Sequence, residues 1–367
     1  MQSDKALHAT GPSDSSQGRG SENAFAHGGP LGAGRIRSCP EDFIVREWLG
    51  FEPSGEGEHM LLTVRKRGAN TKWVAKQLAD HAGARVREVG YAGLKDRHAL
   101  TEQAFTVPAR KTTPEFWLNL GGEGYEVIAA APHRRKLPRG AHKGNDFEII
   151  VRDLNIDANV LDARLRRIAK EGAPNYFGEQ RFGREGGNLA AAERWLLDGA
   201  APADRDERSF ALSAARSAVF NAVLSARVAD NTWNTLLPGE VVNLDGTGSI
   251  FGCEIVDAEL AARCAQLDVH PTGPLCGVGE SRVTLQAREI EEHALQTWRA
   301  WREALIGLGV MQQRRALRLA VRDLSWDYAG GALTLRFRLM RGAFATTVLR
   351  EIANTQQPAS DAGEPSD

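Results

Sequence analysis

Charge is distributed unevenly along this sequence, and that distribution constrains the fold more than any single motif. From His59 to Asn145 there are 16 Lys/Arg and 7 Asp/Glu, net +9. From Met311 to Arg350 there are 8 and 2, net +6. Between them, Asp146 to Val310 carries 17 and 25, net −8. The chain total is nearly balanced, 46 against 47. Screening limits electrostatic attraction to about 10 Å, so a partner meets local surface charge and not the total. Two basic segments that fold together present one basic surface, which attracts a polyanion. The plainer alternative is a set of solvated faces.

Local patterning changes along the chain in the same way. Phe43–Val45, Met60–Val64, Val86–Tyr91, Gln103–Val107, Tyr125–Ile128 and Phe147–Val151 are apolar or β-branched runs of strand length. Asn70-Thr71 opens an amphipathic helix with Trp73, Val74, Gln77 and Leu78 at helical spacing, ending at Gly83. After Leu154 helical patterns dominate: Val160–Lys170, Asn188–Leu197, Phe210–Ala229 and Val283–Ile306. All nine lysines lie at or before Lys170. Strand character returns at Leu317–Leu319 and Leu333–Phe337, and a short helix over Ala345–Ala353 follows. The simplest architecture is a mixed α/β (α+β) fold. Residues 23–154 and 311–354 form one sheet-rich domain, and residues 155–310 are inserted into it. Residues 1–22 and 355–367 are polar, and they are expected to be disordered tails.

Several chemistries lack their usual support. There is no GxGxxG loop, no GxxxxGK[ST] loop, no HExxH and no GxSxG. The four cysteines form no CxxC pair and the nine histidines show no ligand spacing, so no metal site is expected. No run of about 18 apolar residues exists and the first 30 residues hold no apolar core. The expectation is a cytoplasmic protein that needs no membrane, no metal and no nucleotide cofactor.

Four segments concentrate polar and aromatic groups. In Val89–Ala99, Asp96 is flanked by Lys95, Arg97 and His98. Nearby cations favour an ionised carboxylate, which can act as nucleophile or base, whereas an aspartate after a strand is ordinarily a turn or cap residue. Gly172–Arg184 interleaves Tyr176, Phe177 and Phe182 with two arginines. Such a loop either stacks on bases or plugs a domain junction. Lys143-Gly144-Asn145-Asp146-Phe147 follows the basic run His133-Arg134-Arg135-Lys136, and Phe344 sits at a strand-to-helix turn.

Together these segments resemble one family, the tRNA pseudouridine synthase D (TruD) family. The markers are Pro40-Glu41-Asp42-Phe43, Gly55–His59, Ala92–Ala99 with Thr101, Lys143–Asn145, Asn175–Gly183, Leu212–Ser217 and Phe344–Thr346. Each is a weak pattern, but all seven in order are specific. The resemblance implies isomerisation of uridine 13 in the tRNA D-arm to pseudouridine. It also implies a pseudouridine-synthase catalytic domain with a mixed or antiparallel sheet, and an inserted α/β TRUD domain. By the same resemblance Asp96 is the catalytic aspartate. Phe43, Asn145 and Phe344 correspond to positions that contact the target nucleotide, and Phe147 stands where most other pseudouridine synthases carry a tyrosine. Arg37 stands where many relatives carry lysine, with pairing to Asp96 as its role, and Lys95 either supports Asp96 or contacts phosphate. The expected partner is tRNA and the expected state a monomer. Two other readings stay open: a pseudouridine synthase for another RNA site, and a non-catalytic tRNA-binding protein on the same scaffold.

Overall fold

The computed structural model describes residues 23–357. Its centre is a nine-stranded sheet whose strands come from both ends of the chain. Across it run Arg322–Ala329, Ala332–Met340, Gly144–Val151, Phe43–Trp48, Leu100–Pro108, His59–Arg67, Tyr125–His133 and Gly121–Gly122, with Gly90–Tyr91 also pairing to Leu100–Pro108. Among the described residues one neighbouring pair is parallel, Phe43–Trp48 beside Leu100–Pro108, and the others are antiparallel.

Successive side chains of a strand point to opposite faces, so each strand sends alternate residues to the covered face. Two separate apolar cores lie there. One gathers Phe43, Val45, Phe147, Ile149, Leu335 and Phe337 beneath Leu161, Leu165 and Ile168 of the helix Ala158–Glu171. The other gathers Met60, Leu62, Val64, Phe105 and Val107 beneath Val74 and Leu78 of the helix Thr71–His81. Each helix begins at a side-chain cap: Asn70 accepts from the amide of Lys72, and Asp157 from those of Asn159 and Val160. Past the end of the interior strand Gly144–Val151, Arg35 bridges Arg152, and Ala33–Arg35 pairs in parallel with Asn354–Gln356.

A second unit lies between the two sequence segments of the sheet. Its four-stranded sheet has the order Ile250–Cys253, Glu240–Leu244, Val269–Leu275, Gln313–Ala316. The 25-residue helix Arg205–Ala229 packs with it, and Gly187–Asp198, Leu285–Leu295 and Arg299–Gly307 complete a helical layer. The chain rejoins the central sheet at Arg322.

Several elements differ from expectation. Thr355 and Gln356, expected in a tail, pair with Gly34 and Arg35; residues 1–22 and 358–367 lie outside the described residues. Within Val86–Tyr91, only Gly90–Tyr91 is strand, after a 3-10 turn over Val86–Glu88. The single helix expected over Val283–Ile306 is broken by a 3-10 turn at Gln296–Trp298, which brings Trp298 edge-on to Trp301 at 5.2 Å. No helix among the described residues is long and apolar enough to cross a membrane.

Candidate active site

Between the two apolar cores the covered face of the sheet turns polar. Strand alternation that buries Phe43 and Val45 also directs Glu47 to that face. The same alternation carries Met60, Leu62 and Val64 on to Lys66, Phe105 and Val107 back to Gln103 and Thr101, and Phe147 back to Asn145. Strand register sets these ends side by side: Asn145 opposite Glu47, and Lys66 opposite Thr101, which neighbours Val45. The result is a polar stripe across the middle of the sheet. Gly144 is required at its edge, because a Cβ there would stand 2.4 Å from the carbonyl oxygen of Leu339.

The turn carrying Asp96 lies at this stripe and is pinned from several sides. Gln103 Nε2 donates to the Gly93 carbonyl at 2.6 Å, and the Lys95 amide donates to Thr71 Oγ1 at 3.1 Å. The His98 amide donates to Asp96 Oδ1 at 2.9 Å, closing an Asx-type turn. On the other carboxylate oxygen, Arg37 Nη2 donates to Asp96 Oδ2, the pairing expected of Arg37. The Arg37 guanidinium lies 4.1 Å from the ring centroid of Phe43, and its Nη1 donates to Gln357 Oε1 at 2.8 Å. Burial lowers the proton affinity of Arg37, and the Asp96 carboxylate opposes that shift.

Lys95 turns inward. Its Nζ donates to Glu47 Oε1 at 2.6 Å, with both side chains buried, and Glu47 Oε2 accepts from the Ala104 amide at 3.0 Å. Lys66 is also buried, and burial pushes its ammonium down to about 8, with Lys95 adding to the shift and Asp96 and Glu47 opposing it. Burial and the neighbouring Lys95 likewise lower the pKa of His142.

The aromatic residues divide into two groups. Phe147 lies edge-on to Phe43 at 6.3 Å and stacks on Phe337 at 5.5 Å. These rings form a buried floor, with the face of Phe43 covered by Arg37. Phe344 is only partly buried and packs with Tyr176, Phe177 and Phe220 of the second unit. Its neighbour Ala343 packs on the core that holds Phe147. Asn145 joins the floor, and its Oδ1 has no hydrogen-bond partner among the described residues.

The Asn175–Gly183 loop is a plug and not an open stacking platform. Tyr176 and Phe177 are buried, and the Phe177 backbone is held at 2.9 Å by both ends of the Asn221 carboxamide. Arg315 lies 4.2 Å over Phe177 and donates to Asn175 Oδ1 at 2.6 Å and to the Gly342 carbonyl at 2.9 Å. The second unit thereby holds the turn that precedes Phe344.

Sequence reasoning did not single out Glu47, Lys66, Gln103 or His142. For the first three the signal was present: each continues the period-two apolar pattern of its strand, so an inward polar side chain follows from the same alternation.

The family described as tRNA pseudouridine synthase D (TruD) matches residues 22–201 and 204–352. The chain belongs to the TruD family. It is 47% identical over 341 residues to the tRNA pseudouridine synthase D of Nitrosococcus oceani, covering 92% of this chain and 95% of that protein. Identity is 46% over 354 residues to the enzyme of that name from Xanthomonas euvesicatoria, at 92% and 95% coverage. To that of Aeromonas salmonicida it is 44% over 335 residues, at 91% and 94%. Among solved structures, the putative tRNA pseudouridine synthase D of Methanosarcina mazei shares the fold, with a TM-score of 0.68 over 90% of this chain and 95% of that one at 22% identity.

Proposed function

We propose that this TruD-family chain isomerises uridine 13 in the D-arm of tRNA to pseudouridine, as a cytoplasmic monomer without a cofactor, and that Asp96 is its reactive carboxylate. The observation that carries this reading is one carboxylate gripped by a buried arginine, next to a carboxamide with a free acceptor and an aromatic floor. The reaction cleaves the bond between uracil N1 and the ribose C1′, turns the base, and rejoins it through C5. C5 gives up its proton to solvent and the freed N1 takes one up, so atoms balance and the product is an isomer.

A base inside a stacked RNA cannot reach such a site, so the uridine has to leave the stack. Phe344, partly exposed at the junction of the two units, offers a ring face to the extruded base. Stacking of this kind contributes about 1–3 kcal/mol. Asn145 Oδ1 accepts from a uracil N–H or a ribose hydroxyl. Phe43 and Phe147 serve as floor, and Arg37 aims the Asp96 carboxylate. Asp96 then attacks C1′ or removes the C2′ proton. Lys95, buried against Glu47, acts by holding the turn. The reading also takes the helical, acidic unit as an insertion that contributes to the wall facing the substrate through Arg315 and the Gly342 turn.

Release of tritium from tRNA carrying 5-tritiated uridine tests the assignment, run with EDTA on transcripts bearing U or C at position 13. Release from the U13 transcript alone supports the reading. Equal release from both transcripts moves the target to another site, and binding without release points to a non-catalytic protein.

A further inference from the structure

Lys66 has no part in the chemistry described so far, yet its placement is costly. It is 1% exposed, and its Nζ donates to one acceptor among the described residues, the Ala69 carbonyl at 3.1 Å. A buried ammonium with so few acceptors is destabilising, and an apolar side chain of similar length would fill the space without that penalty. Opposite it in register lies Thr101, fully buried with its hydroxyl unpartnered.

The loop that Lys66 holds is the one on which the Asp96 turn rests. Lys95, just before Asp96, donates its amide to Thr71 Oγ1 at 3.1 Å. Arg97, just after it, donates Nε to the Gly68 carbonyl at 3.3 Å. Asp96 is therefore carried between two residues tied to the segment 68–71, and Lys66 fastens the middle of that segment through Ala69. The charged groups around Lys66 are Asp96 and Lys95 from the turn and Glu47 from Phe43–Trp48, two strands away. Arg37 binds Asp96 itself, and His142 adjoins Lys95 and Glu47. Lys66 thus reaches the Asp96 turn through the segment 68–71, whereas Arg37 holds the carboxylate directly.

We propose that Lys66 is a positioning residue for Asp96, holding its turn through Ala69 and the segment 68–71. This rests on Asp96 being the reactive carboxylate. The lowered proton affinity of Lys66, to about 8, is consistent with an ammonium held in place against its own desolvation.

Full-length Lys66→Met and Lys66→Gln test the proposal by single-turnover tritium release, tRNA binding and thermal unfolding. Both are expected to fold with a melting temperature equal to or above the wild type and to bind tRNA within about twofold. Lys66→Met is expected to lose about tenfold or more in single-turnover rate at saturating tRNA. Lys66→Gln keeps a donor for Ala69 and is expected to stay within about threefold of the wild-type rate, so it carries the test if the methionine variant unfolds. A wild-type rate in Lys66→Met, or a loss of about tenfold in Lys66→Gln, would overturn the proposal. Turnover by Asp96→Asn in the same assay would instead remove the reading of Asp96 on which it rests.

Discussion

The two faces of the central sheet carry the same kinds of charged residue in different surroundings. In Phe43–Trp48 the change takes one step: Arg46 points outward and Glu47 inward. Outward, Arg46 approaches Glu102 and Glu148, Arg65 bridges Glu102 and Glu126, and Arg336 bridges Glu148 and Asp327. This mesh is largely in water, where each pair contributes about 0–1 kcal/mol. Both signs alternate across it, so joining the two basic segments in one sheet does not make this face uniformly basic. Inward, Glu47, Lys95, Arg37 and Lys66 are withdrawn from solvent and Asp96 is half-buried. There a charge costs several kcal/mol in lost hydration and has to be offset by a partner. The same residue types therefore form a tolerant surface on one side and a sensitive stripe on the other.

That contrast can be broken in order of expected effect. Asp96→Asn should abolish tritium release, by on the order of 10⁴-fold or more, with tRNA binding retained; substantial turnover by this variant would end the chemical reading of the inner face. Glu47→Gln strands Lys95 as a buried, poorly paired charge and should cost about 3–5 kcal/mol of unfolding free energy in urea. Phe344→Ala should lower the rate by about 1–3 kcal/mol of transition-state stabilisation with less effect on binding. Equal losses in rate and binding would make the ring purely structural.

A fourth test uses pH. The Lys66 ammonium is depressed to about 8 from 10.5 in the folded protein. Between those values the unfolded chain holds a proton that the folded chain has released, so wild-type stability from this group rises with pH. The advantage of Lys66→Met in melting temperature should be full below pH 8 and vanish by about 10.5. The smallest effect belongs to the outer mesh, where Arg336→Ala should cost under about 1 kcal/mol and fade further in high salt.

Much of this contrast was readable from residue order. Apolar alternation marked the strands at Phe43, Met60, Gln103 and Phe147, and the capping pair Asn70-Thr71 marked a helix start. Alternation also held the inward course of Glu47 and Lys66, although a lone charge at a strand end draws no notice until the neighbouring strand is known. What sequence order could not display were meetings across long separations. Arg315 reaches Asn175 from 140 positions away, and the meeting of Arg37 with Asp96 across 59 was expected from the family resemblance and not from residue order. The sheet of the second unit was hidden for another reason. Val269–Leu275 contains Pro271, Gly273 and Pro274, residues that weaken any strand pattern because proline lacks an amide donor and glycine adds no side chain. The strand holds because Thr272 and the neighbouring Arg314 supply bonds of their own, through Thr272 Oγ1 to Val241 and Arg314 to the Thr272 carbonyl.

The parallel pairing of Ala33–Arg35 with Asn354–Gln356 has a consequence in time. During synthesis, the arginine that grips Asp96 emerges early, while Gln357, its second partner, follows 320 positions later. Until those late residues leave the ribosome, the strand that anchors the Arg37 segment lacks its mate. A nascent chain therefore carries Asp96 and Arg37 well before Gln357 can fix that arginine from its other side.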